Sequence, residues 1–314
     1  MRAVTVSQFG SQPVVSDVPK PKPGPGQILI KVRAAGVNPM DRSLASGAWK
    51  PMPVTFPFIL GSDVAGVVDE IGTGESRFHR GDEVFGQLMI APLGSAGTYA
   101  EYVAVAADAP LACVPDALDA MVAASLPTAG ATALQIVDAL SPLDSRTVLI
   151  VGAAGGVGSF LTQFVSQAGA HVIAAVRASE NDRVRGYGAA ETIDYLSEPV
   201  ASALRRSHPD GVDVLIDVAS DAPAFAALAA LVRRGGTAVT TKYVADAAAL
   251  GAAGITAVNF AAKITNDTLA RLGDAVASGR IVPPPIRRVS LADAPALWNP
   301  EAGRHRDGKT VITP

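Results

Sequence analysis

The stretch that most constrains this chain is TVLIVGAAGGVGSF, from Thr147 to Phe160. An apolar run, Val148 to Val151, enters a turn holding Gly152, Gly155, Gly156 and Gly158, and an amphipathic segment follows from Phe160. Strand, glycine turn and helix in that order are the context a dinucleotide-binding fingerprint requires. Gly155 would let the backbone approach a pyrophosphate, and Gly158 would let the new helix lie close on the strand. The helix N-terminus then offers unpaired N–H groups and positive dipole to phosphate, with Gly155, Gly156 and Val157 as candidate contacts. Ala153 stands where the usual G-x-G-x-x-G has its first glycine.

Length sets the next bound. A chain of 314 residues is too long for one ordinary core, so two domains are expected. With 49% hydrophobic and 18% charged residues, it reads as globular and not disordered. With a net charge of −3, interspersed signs and no basic run longer than two residues, nothing suggests a nucleic-acid surface. No apolar run reaches the roughly 18 to 20 residues of a membrane span. The opening Met1 to Val6 reads as a strand, not a signal peptide, and a cytoplasmic location is expected. Cys113 is the only cysteine, which rules out an internal disulfide and a cysteine zinc cage.

The first ~110 residues read as a small β barrel or sandwich, with strands separated by glycine and proline turns. From Asp119 the pattern changes. Ala120 to Leu126 and Thr132 to Leu140 are helical by spacing, with Pro127 to Gly130 read as the break between them. Strand and helix then alternate to Thr241, which predicts an α/β Rossmann domain with a doubly wound parallel sheet and a ligand at its carboxyl end. After Pro283 to Pro285, Arg287 to Leu291 and Lys309 to Thr313 read as strands returning to the β-rich domain. The expected division is therefore 1–119 with 284–314, and 120–283.

Six motifs in order carry a family likeness: GVNPMD (Gly36 to Asp41), GSDVAGVVDEIGTG (Gly61 to Gly74), RGDEVFG (Arg80 to Gly86), the helix around Thr132, GAAGGVG (Gly152 to Gly158) and GKTVI (Gly308 to Ile312). Together they resemble the medium-chain dehydrogenase/reductase superfamily, in its zinc-independent, zeta-crystallin-like quinone oxidoreductase branch. The resemblance implies a GroES-like catalytic domain, a Rossmann domain with the cofactor in the cleft, and NADPH-dependent reduction of quinones or α,β-unsaturated carbonyls, commonly by a homodimer.

In zinc-using relatives the position of Asn38 is a cysteine, and Ser62-Asp63 would be a His-Glu pair. His79, His171, His208 and His305 lie in unrelated segments, so no metal site is expected. Without a Lewis acid, a quinone or enone is the easier acceptor, because hydride charge delocalises onto a conjugated oxygen. Asn38, after a strand and before a proline, is the first candidate for a polar catalytic group; its plain alternative is a turn asparagine. Many family members carry a tyrosine where this chain has Ser43. That leaves the proton to Ser43, water or the cofactor ribose.

The end of the second Rossmann strand reads Val176-Arg177-Ala178-Ser179, where enzymes for NAD place Asp or Glu. Arg177 and Ser179 suit a ribose 2′-phosphate, so NADPH is expected over NADH. Arg183 is an auxiliary or a solvated helix residue, and Glu180 would oppose a phosphate if it pointed inward. By position in the family pattern, Thr132 lies near the nicotinamide, Tyr195 on the adenine phosphate side, Thr241 at the crevice and Lys309 in the GK motif. Each also has a purely structural reading. Trp49, Phe56, Phe58 and Met89 are candidate pocket residues. A quinone oxidoreductase, a double-bond reductase on the same scaffold and a non-catalytic NADPH sensor remain open.

Overall fold

Valine-rich strands of period two occupy the first third of the chain, and each is cut short by a turn residue. In the computed structural model, which describes residues 1–48, 52–74, 77–299 and 308–314, they are β1 (Arg2–Val6), β2 (Val14–Asp17), β3 (Gln27–Gly36), β4 (Phe58–Ile59), β5 (Asp63–Ile71), β6 (Glu83–Gln87), β7 (Tyr102–Ala106) and β8 (Leu111–Cys113). Helices α1 (Pro39–Ala45), α2 (Ala120–Ser125) and α3 (Pro127–Leu140) accompany them. Next come β9 (Thr147–Val151), α4 (Gly156–Gln167), β10 (His171–Val176), a 3-10 turn (Ala178–Glu180), α5 (Asn181–Gly186), β11 (Glu191–Asp194), α6 (Val200–Ser207), β12 (Val212–Asp217), α7 (Ala222–Ala229), β13 (Val232–Thr240), α8 (Ala247–Ala252) and β14 (Thr256–Asn259). The chain closes with α9 (Asn266–Ala277), β15 (Ile286–Ser290) and β16 (Lys309–Thr313).

The chain forms two units, residues 1–131 with 264–314, and residues 132–263. In the first, a seven-stranded sheet runs β15-β16-β3-β5-β6-β8, with β7 also on β3, and a smaller sheet runs β2-β1-β4. Strand β3 lies inside the sheet: β5, β7 and β16 all hydrogen-bond to it, and Ile28, Leu29 and Ile30 are fully buried. The unit's edges differ from the sequence boundaries at 119 and 283. Helix α2 packs on β3 and β5, α9 packs on β8, and Leu272 of α9 touches Gly130 so closely that a Cβ there would meet it at 2.6 Å.

In the second unit the strand order is β11-β10-β9-β12-β13-β14, parallel throughout. This is a doubly wound Rossmann sheet with its order reversing at β9. Leu149, Ile173, Leu215 and Phe225 fill its core. Pro127 to Gly130 is not a break. Proline is tolerated in the first turn of a helix, where its missing N–H had no partner to lose, and α3 starts there. Among the described residues no helix is long and apolar enough to cross a membrane.

Candidate functional site

The first unit gathers a polar cluster inside its apolar core. Asn38 follows β3 with extended backbone (φ −126°, ψ 151°), as a residue before proline prefers, and Pro39 opens α1. Its side chain is buried. Asn38 Nδ2 donates to Asp63 Oδ2 at 2.8 Å, and Asn38 Oδ1 accepts from Lys309 Nζ at 2.6 Å. Lys309 Nζ also donates to the Val37 carbonyl (3.1 Å) and lies 3.8 Å from Asp63 Oδ2. Thr128 Oγ1 donates to Asp63 Oδ1 at 2.5 Å, and the Thr128 N–H reaches the same carboxylate. Next to them, Asp41 accepts from Tyr99 Oη (2.6 Å), the Asn38 N–H (2.7 Å) and Ser62 Oγ (3.2 Å). Gly36 makes room for this: a Cβ there would lie 2.3 Å from the Ala124 carbonyl and 3.0 Å from Asp63 Cβ.

Two carboxylates and one ammonium thus share a buried site. Burial pushes the Asp41 carboxyl up to about 6, against the pull of the Tyr99 and Asn38 hydrogen bonds, with the charge of Asp63 adding to the rise. Burial also raises Asp63 and lowers Lys309, and each partner's charge opposes the other's shift. The donor set does not fit zinc. A catalytic zinc takes about three Cys, His or carboxylate ligands. Here an amide, a serine and carboxylates already saturated by N–H and O–H donors surround a buried ammonium, which would repel a cation.

In the second unit the glycine turn is built from backbone. Gly152 takes the left-handed conformation (φ +82°), so the tight turn falls one residue before Ala153, which is buried and needs no glycine. A Cβ on Gly158 would stand 2.0 Å from the Gly152 carbonyl oxygen, the closest approach that lets α4 start on top of β9. Gly155 caps α4, and half-buried Gly156 and Val157 supply its first N–H groups, which have no intrahelical partners. These residues fit a pyrophosphate.

Beyond β10, Arg177 and Arg183 both donate to Glu180 Oε1, at 3.0 and 2.9 Å. Glu180 is buried and points into the pair, where it neutralises one of two positive charges and leaves the cluster net positive. Arg183 is thus a member of this cluster and not a solvated helix residue. Ser179 is exposed in the 3-10 turn beside it. A mostly apolar pocket of about 510 Å³ lies at the carboxyl end of the sheet, lined by Gly152, Tyr195, Val200, Ala219, Ser220 and Leu228 among others. Asp217, missed in the sequence, accepts from the Ala219 and Ser220 N–H groups (2.9 Å each) and so fixes the loop that lines this pocket.

The other expected residues scatter. Thr132 is buried in α3, and Thr241 is half-buried just past β13. Ser43 is half-buried in α1, and among the described residues its hydroxyl has no partner. Phe58 is buried in the first unit's core, Phe56 is 39% exposed and edge-on to Phe9, and Met89 packs against the core. Trp49 and His305 lie outside the described residues. The histidines do not all stand in unrelated places: His171 and His208 both meet Glu191. Sequence reasoning missed Tyr99, Thr128 and Asp217; an aspartate ending a buried strand was the available signal for the last.

Two family models match the chain: an alcohol dehydrogenase GroES-like domain over residues 24–116 and a zinc-binding dehydrogenase over 156–263. The chain is 30% identical to a chloroplastic quinone oxidoreductase of Triphysaria versicolor, over all of this chain and 98% of that one. It is 33% identical to human quinone oxidoreductase over 69% of this chain and 66% of the human one, slightly less than two thirds. Among solved structures, a quinone oxidoreductase of Coxiella burnetii superposes with a TM-score of 0.89 at 27% identity, over 100% of this chain and 99% of that one. A mycobacterial protein solved with NADPH superposes with a TM-score of 0.86 at 30% identity, over the whole of both chains.

Proposed function

This chain is an oxidoreductase of the medium-chain dehydrogenase/reductase superfamily, in its quinone oxidoreductase branch, and from that premise we propose that it reduces quinones with NADPH and without a catalytic metal. The observation that carries the reading is the buried Lys309 ammonium among Asn38, Asp63 and Asp41, a set whose oxygen atoms are taken up by N–H and O–H donors and whose centre is held by the ammonium. When bound, NADPH supplies the hydride. The turn from Gly152 to Gly158 and the start of α4 would hold its pyrophosphate, Arg177, Ser179 and Arg183 would hold the 2′-phosphate, and Tyr195 with the apolar pocket would hold the adenine.

With no Lewis acid to polarise a carbonyl, the acceptor itself must spread the incoming charge, which a quinone does over two conjugated oxygens. Lys309 and Asp63 lock the Asn38 amide, so that its position is set before substrate arrives. The Ser43 hydroxyl is the proposed proton source for the reduced acceptor. The test is NADPH oxidation, followed by absorbance, with benzoquinone, naphthoquinone and short enones as acceptors. We expect turnover with the quinones. Turnover with enones alone would replace this reading by double-bond reduction, and tight NADPH binding without any turnover would replace it by a sensor.

A further inference from the structure

At the opposite end of the Rossmann sheet from the glycine turn, three side chains from distant segments converge. His171 is the first residue of β10 and Glu191 the first of β11. The ladder pairs Ile173 with Glu191, so His171, two residues earlier, projects from the same face as Glu191. His208 caps the C-terminus of α6. His171 Nε2 lies 2.5 Å from Glu191 Oε1, and His208 Nε2 lies 3.1 Å from both Glu191 oxygens. The three ligand-type atoms all fall within 4.8 Å of one another.

We propose that His171, Glu191 and His208 form a divalent transition-metal site, best suited to zinc, that clamps the end of α6 to the amino edge of the sheet. Two imidazoles and one carboxylate are a zinc-type ligand set with a fourth position for water. Bonds of about 2.1 Å in a tetrahedron put ligand atoms roughly 3.4 Å apart, so the widest gap closes by at most about 1.4 Å. His171, with a side chain 44% exposed, can make that rotation, while His208 (19%) is held in place. The backbones are already fixed: the His171 N–H donates to the Arg146 carbonyl (2.8 Å) and the His208 N–H to the Leu204 carbonyl (2.7 Å). Both rings bind a metal through Nε2 and carry their proton on Nδ1. Helix α6 is the reason the clamp matters. Val200 and Ala201, in its first turn, line the apolar pocket at the carboxyl end of the sheet, so a metal on His208 anchors the helix that bounds that pocket.

The full chain, freed of any affinity tag, stripped with EDTA and dialysed, is titrated with Co²⁺ and with Zn²⁺. We expect one equivalent of Co²⁺ with visible d–d absorption, displaced by Zn²⁺, and a rise in Tm of about 5 °C at a Zn²⁺ excess of roughly 100 times Kd. His171→Gln and His208→Gln each lose the absorption and the rise, while their Tm in EDTA stays within about 2 °C of the parent, as expected of substitutions outside the core. Failure of the parent chain to bind one equivalent would overturn the proposal. So would Co²⁺ binding that survives in the double variant, since the metal would then sit on other residues.

Discussion

The turn at Gly152 and the cluster at Lys309 are two ways of building a charged site, and they differ in what carries the work. The turn is backbone: Gly152, Gly155 and Gly158 lie within seven residues, and a Cβ on Gly158 would meet the Gly152 carbonyl at 2.0 Å. The cluster is side chain: Asn38, Asp63, Tyr99, Thr128 and Lys309 come from five segments up to 271 residues apart, and nearly every polar atom in it has a named partner. A backbone site has nothing to titrate and fails by steric change. A side-chain site fails by losing a partner or a charge.

That contrast predicts different damage. The largest loss is expected for Lys309→Met, which leaves the buried Asp63 carboxylate without its counter-ion at a cost of about 3–5 kcal/mol, read as a fall in the denaturation midpoint. A change under about 1 kcal/mol would mean that the threonine and asparagine donors alone hold Asp63.

Asp41 gives a loss that depends on pH. Its folded pKa is raised from the ordinary 3.8 to about 6, so the folded state binds more protons than the unfolded state between those values. Its stabilising contribution is therefore full below about pH 4 and is lost as pH rises through about 6, by about 3 kcal/mol. Asp41→Asn removes the titration. The parent should lose stability relative to this variant between pH 4 and pH 8, and a flat difference would show that Asp41 is not the group responsible.

In the glycine turn the expected effect is steric and independent of pH. Gly158→Ala must push α4 off β9, which costs about 1–3 kcal/mol and weakens NADPH binding, both measurable by denaturant titration and by fluorescence titration. The same stability and affinity in the alanine variant would mean that the turn is looser than its contacts indicate.

How each site could be read from the chain follows from the same difference. The glycine turn is contiguous, and its strand and helix signals flank it, so its place and fold class were visible in Thr147 to Phe160. The start of α3 was not, because Pro127 reads as a breaker unless its position in the first turn is known. The edge strand β14 and short α8 lie in an alanine-rich run with little periodicity. The partners of Asn38 and Lys309 carry no spacing signal at all, since the fold alone brings β3, β5, α3 and β16 together. For the same reason His171, Glu191 and His208 read as unrelated in sequence.

A third group, Arg177, Glu180 and Arg183, is contiguous like the turn but chemical like the cluster. The proposed selection of NADPH over NADH depends on this group. The most direct measurement is the Kd of NADPH and of NADH, in the parent chain and in Arg177→Ala, at fixed ionic strength. The variant is expected to lose about 10- to 100-fold for NADPH, the worth of one charge-assisted hydrogen bond, and little for NADH. Equal losses for the two cofactors would contradict that selection.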